Sequence, residues 1–295
     1  VRRHRNLAVL ALLGPFCLLF AGCFLAPIGY AIYQSLLKVE RSGPLGLGGD
    51  KSVFAGFANY SAALRDSEFT GSVLRVLLFG VVQVPLMIVL SVVLALLLES
   101  ASARWVPFFR SAFFLPHGVP GVIASILWGF LYVPGISPIV RLLDGAGLQV
   151  DFLSSGTVLW SIANIVTWQF AGYNMLIVIS QLKAVPIELY EAARIDGTNA
   201  WQLARYLKLP MARPAIVLTT VFSIIGTLQL FSEPLVLRPL TVAINDTYTP
   251  NLNAYTQAFV NNSYNLAAAE AVLLALVACL LSFGFLRLVG RQGDE

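Results

Sequence analysis

The sequence predicts an all-α membrane protein with six transmembrane helices and both termini in the cytoplasm. Two compositional facts set the class. Hydrophobic residues make up 58% of the chain and charged residues 12%, where soluble domains carry about 45–50% and about 25%. A third observation sets the count: about 20 apolar residues cross the hydrocarbon core, and six stretches supply them, at 9–36, 72–98, 110–133, 157–181, 214–238 and 264–288. They consume most of residues 1–295, so one transmembrane domain is expected, with no soluble domain of about 50 residues or more.

Orientation follows from the basic residues, which favour the cytoplasmic side. Arg2, Arg3 and Arg5 precede the first span, and Arg104 and Arg110 fall between the second and third. Lys183, Arg194, Arg205, Lys208 and Arg213 separate the fourth from the fifth, and Arg287 and Arg291 follow the sixth. One side therefore holds 12 of the 19 basic residues. The net charge of +4 reflects this anchoring, and no clustered basic surface of the kind nucleic acid needs is present. The lipid bilayer is the partner that the composition specifies.

In the first span, Cys17 and Cys23, like Cys279 in the sixth, have no metal or disulfide spacing and read as buried structural cysteines. Phe20-Ala21-Gly22-Cys23 has the look of a lipoprotein cleavage box. Apolar sequence nevertheless continues to Leu37, which favours an uncleaved span. Residues 38–70 lie outside, with a flexible start at Ser42–Gly49 and a short interfacial helix near Gly56-Phe57-Ala58-Asn59-Tyr60. Gly49-Asp50-Lys51-Ser52 suggests a phosphate loop, but no strand is expected before it and it lies on the wrong side for ATP.

The third span opens on Arg110 and carries Pro116 and Pro120, four residues apart, which predict a kink. His117, between them, is expected to bond backbone freed by the prolines. Glu99 and Glu270 lie at span ends and call for no special role. No internal repeat is evident, which weighs against a secondary transporter built from inverted halves. The spans also lack a His, Ser or paired-Asp constellation for an intramembrane enzyme.

The polar interruption at 182–213 carries the most information. Pro186 suits a first helical turn, a helix over Ile187–Asp196 is closed by Gly197, and Asn199 with Gln202 forms a capping-box start. The second helix places Ala200, Leu203, Ala204 and Leu207 on one face and should stop at Pro210. Such a helix-turn-helix, tethered at both ends to spans, cannot enter DNA. It reads as a docking element, with Glu188 and Glu191 on one edge and Ala192 and Ala193 keeping the first helix slim enough to enter a groove. The alternative is a loop that packs only under its own helices.

Here the chain resembles a known family. Glu191-Ala192-Ala193, three residues, Gly197, nine residues, then Leu207-Lys208-Leu209-Pro210 is similar to the signature of permease subunits of binding-protein-dependent ABC importers, with Leu207 replacing Ile. Arg110, Phe114-Leu115-Pro116, Pro120 and Trp128 resemble the third span of sugar permeases. Gln229-Leu230-Phe231-Ser232-Glu233-Pro234 resembles the fifth span of the maltose, glycerol-phosphate and trehalose type, and Ala258-Phe259, Tyr264 and Ala267-Ala268-Ala269 the entry to the sixth. The usual Gly-Gly-Pro is absent near Arg238-Pro239-Leu240, and Ser232 stands where Asp is common.

The resemblance implies a membrane subunit of an ATP-driven carbohydrate importer in a bacterial inner membrane. It implies a second permease subunit, two ATPase subunits that hold the ATP and Mg, and an extracytoplasmic substrate-binding protein. The chain itself would be no enzyme, bind no cofactor or metal, and couple to the ATPase through Glu188, Glu191, Ala192, Ala193, Asp196, Gly197, Leu207 and Pro210. Carried outward, the register puts a sugar face on Gln169, Phe170 and Tyr173 of the fourth span. In the fifth it puts Ser223, Gly226, Thr227 and Leu230 on one stripe extended by Glu233, with Gln229 off it. Asn164 and Trp168 form a second i, i+4 pair. Small and hydroxyl residues also pack membrane helices together, and an ion pair with Arg238 is the rival role for Glu233. The contrasting function is an ion-coupled carrier acting without an ATPase. Disaccharide, amino sugar and glycerol phosphodiester all fit as solute.

Overall fold

The computed structural model describes residues 2–41, 50–100 and 102–291; the expected flexible start at 42–49 lies outside them. Helices form where the apolar stretches run, and most of their interruptions sit beside a proline. The chain divides into two compact units, residues 1–71 with 253–276 and residues 72–252 with 277–295.

In the first unit, α1 (Arg2–Phe20) continues through a π turn at Ala21–Leu25 into α2 (Ala26–Ser35). The wide turn ends two residues before Pro27, whose ring clashes with the carbonyl four residues back and has no N–H to satisfy it. One short strand pair interrupts the otherwise helical course of the described residues. Strands β1 (Leu37–Arg41) and β2 (Asp50–Phe54) pair antiparallel, with Leu37 opposite Phe54 and Arg41 opposite Asp50. Lys51 thus lies inside a strand, where no phosphate loop forms. Helix α3 (Ala58–Arg65) matches the short helix expected after Gly56. Asn59 Nδ2 ties it to the Ser35 and Leu37 carbonyls at 2.8 and 2.6 Å.

The second span is α4 (Ser67–Leu98). The third is not one rod: α5 (Val106–Phe114) passes through a 3-10 turn at Leu115–Gly118 and bends by 99° into α6 (Gly121–Tyr132). The two prolines produce the expected kink. Val119, ahead of Pro120, is extended at φ −84° and ψ 124°, as a residue before proline prefers. Then come α7 (Pro138–Gly145) and the fourth span, α8 (Val158–Lys183).

The interruption at 182–213 contains α9 (Ile187–Ile195), then α10 (Ala200–Gln202), a π turn at Leu203–Lys208 and α11 (Leu209–Met211). Pro186 is the residue before the helix rather than in its first turn. Pro210 does not stop the second helix; the wide turn ahead of it absorbs the proline, as the turn before Pro27 does. A 63° bend leads into α12 (Arg213–Leu228). The fifth stretch, expected to run unbroken over 214–238, breaks at 229–231 before α13 (Ser232–Leu237). Pro234 cannot donate to the carbonyl of Leu230, which would be its partner in a continuous helix. The chain closes with α14 (Pro250–Phe259) and α15 (Tyr264–Arg291). Among the described residues four helices are long and apolar enough to cross a membrane, and the two bent pairs raise the number to six if each is one span.

Two apolar clusters hold the second unit together. One gathers Phe79, Ile162, Ile165, Leu237 and Leu252, and the other gathers Val84, Ala95, Met175, Leu182 and Ala212. All three cysteines are exposed, so the buried role expected of them does not hold. An apolar helix face turned to lipid accepts a small thiol as readily as a core does. Glu270 departs from expectation in the other direction: it is fully buried, and neither carboxylate oxygen has a hydrogen-bond partner.

Candidate functional site

Within the second unit a cavity of about 440 Å³ lies where α4, the 3-10 turn at Leu115–Gly118, α8, α12 and the break before α13 converge. Of the eight residues expected along a solute face, Phe170, Tyr173, Ser223, Gly226, Thr227, Leu230 and Glu233 line it. Gln169 does not. Its Nε2 donates to the Val119 carbonyl at 2.9 Å, across the bend of the third span.

One wall is aromatic. The His117 imidazole stacks on Tyr173 with ring centres 4.4 Å apart and meets Phe170 edge-on at 5.2 Å. His117 therefore serves a ring stack rather than the backbone bond expected of it. The stack exists because α5 can approach α8 at a glycine. A Cβ at Gly172 would stand 1.8 Å from the Phe113 carbonyl oxygen, so any side chain there pushes the two helices apart.

The opposite wall is α12. Ser223 Oγ donates to the Thr219 carbonyl at 2.7 Å and accepts from Asn174 Nδ2 at 3.5 Å. Thr227 Oγ1 donates to Gln83 Oε1 at 3.4 Å. The hydroxyls thus both pack helices and face the cavity, which reconciles the two readings of the stripe. Glu233 and Ser232 lie at the helix break. The rival role for Glu233, an ion pair with Arg238, does not form, because Arg238 pairs with Asp246 at 2.5 Å. Glu233 stays buried beside the cavity, 3.8 Å from where a Cβ on Gly121 would lie.

Sequence reasoning missed His117, Asn174 and Gln229 on the lining. Gln229 reaches it because the helix ends at Leu228, which cancels the rotation that would carry an unbroken helix's residue 229 off the stripe. Asn174, an amide in mid-span, carried a signal in its polarity alone. The pair Asn164 and Trp168 belongs elsewhere. Asn164 Nδ2 donates to the Tyr132 hydroxyl at 2.9 Å beside a second, mostly apolar cavity, and Trp168 packs on Trp128.

The loop at 182–213 has the capped geometry that its residues specify. Asn199 Oδ1 accepts from the Gln202 N–H at 2.9 Å, and Gln202 Oε1 accepts from the Asn199 N–H at 2.9 Å. Gly197 takes φ +80°, a left-handed conformation costly to any residue with a Cβ. Glu188, Glu191, Ala192, Asp196, Gly197 and Pro210 are exposed, while Ala193 and Leu207 are half-buried. Ile195, Trp201 and Tyr206 are exposed by 86%, 74% and 75%. The face therefore does not pack under the chain's own helices. On its inner side, Lys208 is buried at 9% exposure with its Nζ donating to the Glu99 carbonyl at 2.5 Å. Burial pushes its ammonium pKa down, and the Glu99 carboxylate partly restores it. Burial likewise pushes up the pKa of the Tyr190 phenol, which donates to the Leu182 carbonyl at 3.0 Å.

Comparison with known proteins places these features in context. The profile of a family described as binding-protein-dependent transport system inner membrane component matches residues 55–292. The chain is 34% identical to the lactose transport system permease protein LacF of Rhizobium radiobacter over 237 residues, 78% of this chain and 79% of that one. It is 31% identical to the sn-glycerol-3-phosphate transport system permease protein UgpA of Rhizobium meliloti over 283 residues, 93% of this chain and 92% of that one. Its fold matches a chain in the crystal structure of a bacterial ABC transporter involved in import of the acidic polysaccharide alginate. That match has a TM-score of 0.81 at 20% identity and covers 98% of this chain and 96% of that one.

Proposed function

The chain belongs to the family of binding-protein-dependent transport system inner membrane components, and from that membership we propose that it is the membrane-spanning subunit of an ATP-driven sugar importer. It is a multi-pass protein of a bacterial inner membrane and is not itself an enzyme. One observation carries the reading: the family match runs over residues 55–292 and so takes in both the cavity and the exposed loop. A second permease subunit, two ATPase subunits carrying ATP and Mg, and an external sugar-binding protein complete the transporter.

Both termini and the loop at 182–213 lie in the cytoplasm, as the basic residues indicate. Helix α9 docks in a cleft of the ATPase, with Glu188, Glu191 and Asp196 meeting basic groups there and Ala192 and Ala193 allowing close approach. Ile195, Trp201 and Tyr206 supply apolar contact, and Gly197, Leu207 and Pro210 set the shape of the loop.

The cavity is half of the solute path. Sugar C–H faces stack on Phe170 and on the His117–Tyr173 pair, while Asn174, Ser223, Thr227 and Gln229 exchange hydrogen bonds with sugar hydroxyls. Glu233 accepts from hydroxyls at the helix break. ATP binding shifts the conformational equilibrium only as far as its affinity differs between the two states, and α9 is where that difference reaches the membrane.

The test is uptake into proteoliposomes by the complex purified with its native partners. Uptake that requires internal ATP and survives an ionophore is expected. Uptake without ATP that an ionophore abolishes would instead establish an ion-coupled carrier.

A further inference from the structure

The inner side of the loop holds a buried cation that the coupling motif does not use. A cavity of about 600 Å³, lined by Leu96, Glu99, Leu182, Tyr190, Ala200 and Lys208 among others, lies between the loop and the ends of α4 and α8. The first half of the loop is therefore not held by close packing. Two long polar side chains reach across the cavity: Tyr190 Oη from the first half of the loop to the Leu182 carbonyl at 3.0 Å, and Lys208 Nζ from the second half to the Glu99 carbonyl at 2.5 Å, the ammonium lying 6.0 Å from the Tyr190 ring centre. Packing resumes only at Leu209 and Ala212, in the cluster that contains Ala95 and Leu182.

Glu99 also pairs through its side chain with Arg110 of α5. The residue that accepts the loop's ammonium thus holds the start of the third span. That helix lies against α8 at Gly172 and carries the chain to His117 on the cavity wall. A buried cation loses several kcal/mol of hydration, and an apolar side chain of equal length would fill the space without that loss. What the ammonium adds is a directed bond at a fixed point.

We propose that Lys208 is a positioning residue for transport, clamping the loop to the end of α4 so that the Glu99–Arg110 pair makes α5 move with α9. This rests on the reading of α9 as the docking element. The clamp predicts that α9 and α5 behave as one body when the ATPase closes.

The test uses the whole complex, with Cys17, Cys23 and Cys279 replaced by Ser and spin labels on Leu189→Cys of α9 and Phe109→Cys of α5, both exposed. Pulsed electron resonance measures their separation with and without MgATP and vanadate. In the parent complex the distance distribution should stay narrow and unchanged on adding nucleotide. Lys208→Met should broaden it by about twofold or more with nucleotide, and Lys208→Arg should restore the narrow form. A Lys208→Met distribution equal to the parent's in both conditions would overturn the clamp. If Lys208→Met does not assemble, Glu99→Gln decides, because it removes the ion pair and keeps the accepting carbonyl. Broadening supports the relay, and an unchanged distribution refutes it. Glu191→Lys separates the two claims. Retained coupling of hydrolysis to uptake in that variant would defeat the docking reading while leaving the label distances to judge the clamp.

Discussion

Glycine 172 shows how much one missing methyl group can position. Its absent Cβ lets the Phe113 carbonyl approach, and that approach brings His117 onto Tyr173. Gly172→Ala should destabilise the purified complex near the upper end of about 1–3 kcal/mol, read as a lower thermal midpoint. Gly226→Ala, where a Cβ meets nothing within 4 Å, should fold normally. Tyr173→Ala should leave assembly intact and lower uptake about 2–10-fold, since an aromatic contact is worth about 0.5–1.5 kcal/mol; unchanged uptake would remove Tyr173 from the path. Lys208 adds a pH signature. Its folded pKa lies below its ordinary value, so between the two the unfolded chain binds more protons and stability rises with pH. The stability difference between the parent and Lys208→Met should therefore shift in the parent's favour across the alkaline range, as parallel thermal melts would show. Tyr173 was legible from the sequence because a family register passes through it. Lys208 was not, since a lysine between two spans reads as a solvated anchor and its burial depends on where the chain folds back.

At the scale of elements, local chemistry was readable and long-range geometry was not. The loop's capping box and closing glycine were visible in Asn199, Gln202 and Gly197, because each acts on backbone within three or four residues. Asn199→Ala should cost about 1 kcal/mol and speed amide exchange over residues 200–211 while leaving α8 and α12 protected. Gly197→Ala should cost about 1–2 kcal/mol through its left-handed backbone. The kink of the third span was predicted from two prolines. The break at 229–231 was not, although Pro234 causes it, because the apolar run hides the loss of a single ladder bond. That break moved Gln229 onto the cavity. The paired strands at 37–41 and 50–54 escaped notice because each has only five residues, too few for alternation to stand out.

For the whole molecule, apolar length and the placement of basic residues fix a helical membrane subunit, and the family match agrees with that class. On the proposed reading the chain supplies half of a solute path and an exposed docking helix, so its activity belongs to an assembly. The most direct test of that claim is Glu191→Lys in the purified complex, with ATP hydrolysis and uptake measured on the same proteoliposomes. The account predicts that the permease stays in the membrane while the ATPase is lost or hydrolyses without uptake. Uptake per ATP equal to that of the parent complex would contradict it.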